Sequence, residues 1–159
     1  MDFAAAARKM ASECPAIRAR QASRVLGKAF DEALRPLGLQ VTQPPLLCAV
    51  ALFGECGASI SALAKGIVID PTALTRNIRP LERAGLLRVA RSPDDARSKT
   101  LFLTRSGERM IEASYPLWQR ALRRVNAEFG PGCIEEFRAQ LTKIVAAAGG
   151  FVDKHSSPP

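Results

Sequence analysis

The side chains best placed to do chemistry in this sequence are hydrogen-bond donors that recur at helical spacing. Threonine hydroxyls and arginine guanidinium groups can donate both to phosphate oxygens and to the edges of bases. These donors are Thr72, Thr75, Arg76, Arg79 and Arg83. Because such groups bind rather than react, the stretch predicts recognition of a polyanion.

One short helix must position these donors. Asp70 is a good N-cap, and Pro71 suits the first helical position, where its missing N–H costs nothing. Gly85 stands where a helix C-cap glycine is expected. Leu74, Ile78 and Leu81 form one apolar stripe, which leaves the donors mostly on the opposite face.

Pro80 falls inside this helix, where proline removes a hydrogen bond and clashes with the preceding turn. We expect a kink after Arg79 that leaves residues 72–76 straight. The alternative is a helix that ends at Arg79 and is followed by a separate turn.

The next segment predicts a β-hairpin with strands 86–91 and 99–104. Leu87, Val89, Leu101 and Leu103 alternate at period two. The charged turn between the strands presents Arg91, Arg97 and Lys99, and Asp95 could pin the Arg97 guanidinium. An arginine held at a hairpin tip suits a narrow minor groove, where negative potential is concentrated.

These motifs together resemble the winged helix-turn-helix of the MarR family of bacterial transcriptional regulators. The wing pattern of that family is matched by Asp95-Ala96-Arg97, five residues, and then Leu103-Thr104. Residues 72–76 and 81–86 match the family's recognition-helix sequence as well, and the resemblance covers roughly residues 14–148. It implies a homodimeric DNA-binding protein, most often a repressor, which a small aromatic or phenolic ligand releases from DNA.

The resemblance and the residues together give roles to the candidate side chains. Thr72, Thr75 and Arg76 are expected to contact bases or phosphates in the major groove. Arg79, Arg83, Arg91 and Lys99 are expected on the phosphate backbone, and Arg97, oriented by Asp95, in the minor groove. The family's ligand cleft, between the dimer helices and the DNA lobe, suggests Arg18, Tyr115 and Trp118 as ligand-binding residues, with Cys14 a further candidate. For Tyr115 and Trp118 the favoured alternative is packing in the core or the dimer interface.

Composition supports a polyanion partner and disfavours other classes. The chain has 159 residues, a formal net charge of +8 and a pI near 9.9, which fits one basic domain. It lacks a long apolar run and a secretory signal, so we expect a cytoplasmic protein that contacts no membrane. The chain has a single histidine and carries no phosphate-binding loop or nucleophile motif. We therefore expect no enzymatic activity, no cofactor and no metal site.

Four cysteines without metal-ligand spacing are expected to be free thiols. Cys48 lies in an apolar run and is expected in the core. Cys14, Cys56 and Cys133 are the candidates for a redox switch. The hydroperoxide-sensing branch of the MarR family keeps its reactive cysteine at a position that falls on Ala16 here, which argues against that switch.

The remaining chain predicts a mainly α fold with a small β-hairpin wing. We expect an N-terminal arm at 1–13, a helical dimerisation region at 14–37 and 105–148, a winged helix-turn-helix DNA-binding lobe at 38–104 and a flexible tail at 149–159. Thr42, Ser61 and Thr104 are expected to cap helices, and residues 68–69 to form the turn of the helix-turn-helix. The long amphipathic helices carry more apolar surface than one lobe can cover, which predicts pairing with a second copy.

The leading hypothesis is therefore a ligand-responsive, sequence-specific regulator of double-stranded DNA, a homodimeric repressor on a pseudo-palindromic operator. One alternative is a thiol-switched regulator on the same scaffold. A less favoured one is a non-specific architectural DNA binder, whose affinity would depend almost wholly on salt.

Overall fold

A computed structural model of the protein describes residues 2–91, 99–130 and 132–147. The described fold is mainly helical with a small antiparallel sheet, as the sequence predicted. In chain order the elements are α1 (Phe3–Glu13), α2 (Pro15–Leu34), α3 (Gln43–Ala51), β1 (Ala58–Ser59), α4 (Ile60–Gly66), α5 (Pro71–Arg83), β2 (Leu87–Arg91), β3 (Lys99–Leu103), α6 (Arg105–Phe129) and α7 (Cys133–Ala147). Short 3-10 turns follow α2 at Arg35–Leu37 and α3 at Gly54–Cys56.

The sheet has the strand order β1-β3-β2, with both pairings antiparallel. Leu101 at the centre of β3 pairs with Ala58 on one side and Val89 on the other. The two hairpin strands agree with the sequence prediction to within one residue. Strand β1 was not predicted, because two residues are too few to show an alternating pattern.

The core lies where α3, α4, α5 and the sheet meet. Leu47, Leu63, Leu74 and Leu101 each have 0 % of their surface exposed and belong to one buried cluster. Since each comes from a different element, the cluster fixes α5 relative to the sheet. Outside this core, α2 and α6 pack against each other.

Two predicted caps differ from the structure. Ser59, not Ser61, caps α4, and its Oγ accepts a hydrogen bond from the Ala62 N–H at 3.1 Å. A capping residue must precede the first helical residue, and Ser61 already lies in the first turn. Thr42 precedes α3 but makes no capping bond with its side chain.

Proline does not end α5. The helix runs through Pro80 to Arg83, so the alternative in which it stops at Arg79 is wrong. The stripe of Leu74, Ile78 and Leu81 is buried on both sides of the proline, and that burial explains why the helix tolerates the lost hydrogen bond.

The two terminal helices are the least covered part of the described chain. Neither α1 nor α7 has a buried side chain, and Phe3 and Met10 on α1 are 86 % and 71 % exposed. Among the described helices, none combines the length and the apolar character that a membrane crossing requires.

Candidate nucleic-acid interface

The donor side chains of α5 share one outward face. Thr72, Thr75, Arg76 and Arg79 line a concave surface together with Pro71. On the opposite side of the helix the apolar stripe is buried, with Leu74, Ile78 and Leu81 exposed by 0 %, 3 % and 1 %. The core therefore determines which face of α5 the protein presents to solvent. Arg83, the last residue of the helix, is also exposed.

The first turn of α5 is fixed by Asp70, as predicted. Its Oδ1 accepts hydrogen bonds from the backbone N–H groups of Ala73, at 3.1 Å, and Thr72, at 2.9 Å. These two bonds, with a smaller contribution from the charge of Arg76, lower the pKa of Asp70 below its ordinary value. The carboxylate is thus ionised at neutral pH and holds the turn that carries Thr72.

Thr75 uses its hydroxyl within its own helix. The Oγ1 hydrogen is donated to the Pro71 carbonyl oxygen at 2.9 Å. That carbonyl lies in the first turn of α5, so the bond fixes the orientation of the Thr75 side chain. This bond was not predictable from the residue pattern, because a threonine in a helix can also turn its hydroxyl to solvent.

The turn between α4 and α5 carries backbone strain. Val68 has φ +53°, in the left-handed region, and is 53 % exposed. A β-branched residue is rare in this conformation, because its Cβ crowds the backbone. The turn is held by hydrogen bonds from the N–H groups of Ile67, Val68 and Ile69 to the carbonyl oxygens of Leu63, Lys65 and Ala64. Its predicted position at residues 68–69 is confirmed.

Two cations face each other at the outer end of the described hairpin. Arg91 and Lys99 are directly paired across β2 and β3, and both are exposed. Like charges opposite one another destabilise a hairpin, so an anion near this end would relieve the repulsion. Asp95 and Arg97, the predicted pinned arginine and its partner, lie outside the described residues.

The end of the wing is joined to the end of α5 by Thr104. Its hydroxyl donates to the Gly85 carbonyl oxygen at 2.7 Å and accepts from the Gly107 N–H at 3.0 Å, which caps α6 as predicted. Its backbone N–H donates to the Leu86 carbonyl oxygen at 3.2 Å. The chain that follows α5, the end of the wing and the start of α6 therefore share one set of hydrogen bonds.

A second candidate site is an apolar cavity of about 470 Å³ between α2, α3 and α6. Tyr115 and Trp118 line it, and their rings stack with centroids 5.9 Å apart. Ser114, buried beside them, donates its hydroxyl hydrogen to the Ile111 carbonyl oxygen at 2.8 Å. Arg18 does not line the cavity. It lies exposed near the start of α2, and its guanidinium donates to Gln21 at 3.1 Å.

All four cysteines are free thiols. Cys48 was expected in the core but is exposed on α3 and lines the apolar cavity, because the helix turns Leu47 and Val50 inward instead. Desolvation by its apolar neighbours raises the pKa of the Cys48 thiol, which favours the protonated form. Cys14 connects α1 to α2, whereas Cys56 and Cys133 are exposed. Their redox role stays a prediction.

Comparison with known proteins identifies this architecture. The sequence pattern of the MarR family matches residues 50–99. The HTH-type transcriptional repressor Rv2887 of Mycobacterium tuberculosis is 31 % identical over 120 residues, which are 76 % of this chain and 85 % of that protein. The chain belongs to the MarR family. It is a DNA-binding transcriptional regulator with a winged helix fold, and its relatives are regulators rather than enzymes.

Solved structures of MarR-family proteins agree with this assignment. The Mycobacterium tuberculosis regulator MosR in complex with DNA is 36 % identical, with a TM-score of 0.74 over 86 % of this chain and 96 % of that one. CouR from Rhodococcus jostii, solved with p-coumaroyl-CoA bound, is 21 % identical, with a TM-score of 0.72 over 89 % of this chain and 97 % of that one. The likeness to CouR shows a shared fold.

Proposed function

We propose that this MarR-family regulator is a homodimeric repressor that reads a pseudo-palindromic operator and is released by an aromatic ligand. One observation carries the DNA-reading part of the proposal. The buried stripe of α5 leaves Thr72, Thr75, Arg76 and Arg79 together on its outward face. A helix with hydrogen-bond donors on its free face fits the major groove of B-DNA.

The proposed contacts divide between base reading and positioning. Thr72, Thr75 and Arg76, near the start of α5, enter the major groove, because the N-terminal part of a recognition helix reaches the bases. Phosphates are bound by cations at the edge of the interface, namely Arg79, Arg83, Arg91 and Lys99. Arg97, held by Asp95, enters the minor groove, on the strength of the sequence motif alone.

A second copy covers the apolar surface that α2 and α6 leave open. Val25 and Phe129, exposed by 71 % and 47 %, line a groove between these helices. Exposed apolar side chains in one groove favour an interface between proteins. The helical region of residues 14–37 and 105–148 is then the dimerisation region, and residues 38–104 are the DNA-binding lobe. Two-fold symmetry places the two α5 helices about one DNA turn, roughly 34 Å, apart.

The apolar cavity is the proposed effector site. Its volume of about 470 Å³ lies within the usual range of ligand pockets. Tyr115 and Trp118 offer ring faces to an aromatic ligand. Because the walls come from α2 and α6 on one side and α3 on the other, a ligand there changes how the lobe sits on the dimerisation region. CouR, of the same fold, binds p-coumaroyl-CoA.

Binding to DNA upstream of the protein's own gene tests the proposal. Purified protein is titrated into that DNA and into scrambled DNA of equal length, at two salt concentrations. We expect at least about a thousandfold preference for the upstream DNA, typical of specific regulators. Arg97→Ala should weaken specific binding by about 1–3 kcal/mol. Equal, salt-governed affinity for both DNAs would instead show a non-specific architectural binder.

Intrinsic fluorescence tests the effector site, because Trp118 is the single tryptophan of the chain. The probe is p-coumarate, which is small, aromatic and phenolic. We expect a saturable change in Trp118 emission that Tyr115→Ala weakens, together with release of the upstream DNA. An emission that stays unchanged up to millimolar probe would contradict binding of this ligand class in the cavity.

A further inference from the structure

We infer that Thr75 reads the C5-methyl group of a thymine, and so selects T·A over other base pairs at one position of each half-site. The inference rests on the proposed DNA-reading role of α5 and makes it specific. Thr75 is half-buried within the concave donor face, between Thr72 and Arg79. It therefore lies in the part of α5 that would enter the major groove.

The hydrogen bond of Thr75 decides which part of its side chain DNA would meet. A threonine hydroxyl has one hydrogen to donate, and in Thr75 that hydrogen is directed at the Pro71 carbonyl oxygen, 2.9 Å away. The Cβ of threonine carries a hydroxyl and a methyl group. Because the hydroxyl is bonded to the helix backbone, the methyl is the group that would contact DNA in the major groove. Thr75 thus offers an apolar contact beside the donors of Thr72, Arg76 and Arg79.

Only one base presents a methyl group in the major groove. Thymine carries it at C5, and threonine methyls are among its usual apolar contacts. Cytosine, adenine and guanine present hydrogen-bonding groups that the Thr75 methyl cannot satisfy. Arg76, the next residue, supplies the strong donors of this face, so a donating role for Thr75 is not needed.

The size of the effect follows from the burial of one methyl group. Removing a buried methyl or methylene lowers affinity about fourfold, the equivalent of about 0.8 kcal/mol. Replacing a thymine by deoxyuridine removes only this methyl and leaves every hydrogen-bonding group of the base in place. The substitution therefore isolates the proposed contact.

The experiment measures affinity for the specific upstream DNA with each thymine of a half-site replaced in turn by deoxyuridine. Wild-type protein is compared with two variants. Thr75→Val keeps the methyl and loses the hydroxyl, whereas Thr75→Ser keeps the hydroxyl and loses the methyl. We expect one thymine per half-site whose replacement weakens wild-type and Thr75→Val binding about fourfold. Thr75→Ser should bind the thymine and deoxyuridine DNAs equally. Deoxyuridine outside the half-sites serves as the control.

Three results would overturn the inference while leaving the proposed regulator function intact. In one, no thymine in the half-site is sensitive to methyl removal. In another, Thr75→Ser is as sensitive as the wild type. In the third, Thr75→Val loses specific binding and Thr75→Ser keeps it, which would make the hydroxyl the reading group. Absence of any preference for the upstream DNA over scrambled DNA would instead reject the proposed function and the inference with it. Circular dichroism of both variants checks that α5 is folded.

Discussion

Alanine at two helical glycines, Gly107 and Gly27, is expected to change stability in opposite directions. Gly107 lies in the first turn of α6 and is buried against Leu86, which follows α5, and Leu103 of β3. A Cβ there would collide with the Leu86 carbonyl oxygen and approach Leu103 Cδ1 to 2.6 Å. Gly27 lies within α2, where a Cβ would meet only Val41 Cγ1, at 3.7 Å.

The magnitudes follow from these contacts. The Leu86 carbonyl cannot move freely, because it accepts a hydrogen bond from the Thr104 N–H at 3.2 Å. Overpacking a close-packed site costs about 1–3 kcal/mol, and the better helix propensity of alanine returns up to about 1 kcal/mol. With that gain subtracted, we expect Gly107→Ala to lower the free energy of unfolding by up to about 2 kcal/mol. At Gly27 no clash opposes the gain, so Gly27→Ala should raise it by about 0.5–1 kcal/mol.

Urea unfolding followed by circular dichroism measures both variants. Protein concentration is held equal throughout, because dimerisation would make apparent stability depend on it. The wild-type midpoint should lie between those of the two variants, with similar slopes. A Gly107→Ala variant as stable as Gly27→Ala would refute the argument that the Leu86 carbonyl leaves no room for a side chain.

Three further predictions concern the helix-turn-helix and the cavity. Because its pKa is lowered in the folded protein, Asp70 stabilises above its ordinary pKa of 3.8 and loses this contribution as pH falls through the lower folded value. The stability difference between wild type and Asp70→Ala, measured by urea unfolding, should thus be present at neutral pH and shrink in acid. Val68→Gly should relieve the strain of the left-handed backbone and raise the free energy of unfolding by up to about 1 kcal/mol. The measurement is the urea midpoint, which should rise; a lower midpoint would contradict the claim that Val68 is strained. Cys48→Ala should leave specific DNA binding unchanged in a mobility-shift assay, since Cys48 lies in the cavity wall rather than on α5.

The elements with complete local signals were predictable from sequence. In α5 the cap, the apolar stripe and the C-terminal glycine all agree, and the structure places its ends at Pro71 and Arg83. The hairpin was predictable because Leu87, Val89, Leu101 and Leu103 alternate without interruption. Pro80 was harder, since the cost of a proline is local and the burial that offsets it is tertiary.

Other features depend on neighbours that the sequence does not reveal. Strand β1 exists because Ala58 and Ser59 pair with Leu101 and Thr100 from distant sequence. Cys48 sits in an apolar run, but the angular position of one residue on an apolar helix depends on what packs against it. The bond between Thr75 and Pro71 is a choice of side-chain rotamer, which neither composition nor spacing fixes.

The central claim, that the outward face of α5 reads DNA sequence, is tested most directly by Arg76→Ala. Affinity is measured for the upstream and the scrambled DNA, beside Arg8→Ala, which removes the same charge from an exposed position on α1. We predict that Arg76→Ala weakens specific binding by about 1–3 kcal/mol and changes non-specific binding much less. Arg8→Ala should keep the preference for the upstream DNA. Equal losses on both DNAs, or equal effects of the two substitutions, would show that α5 contributes charge and not recognition.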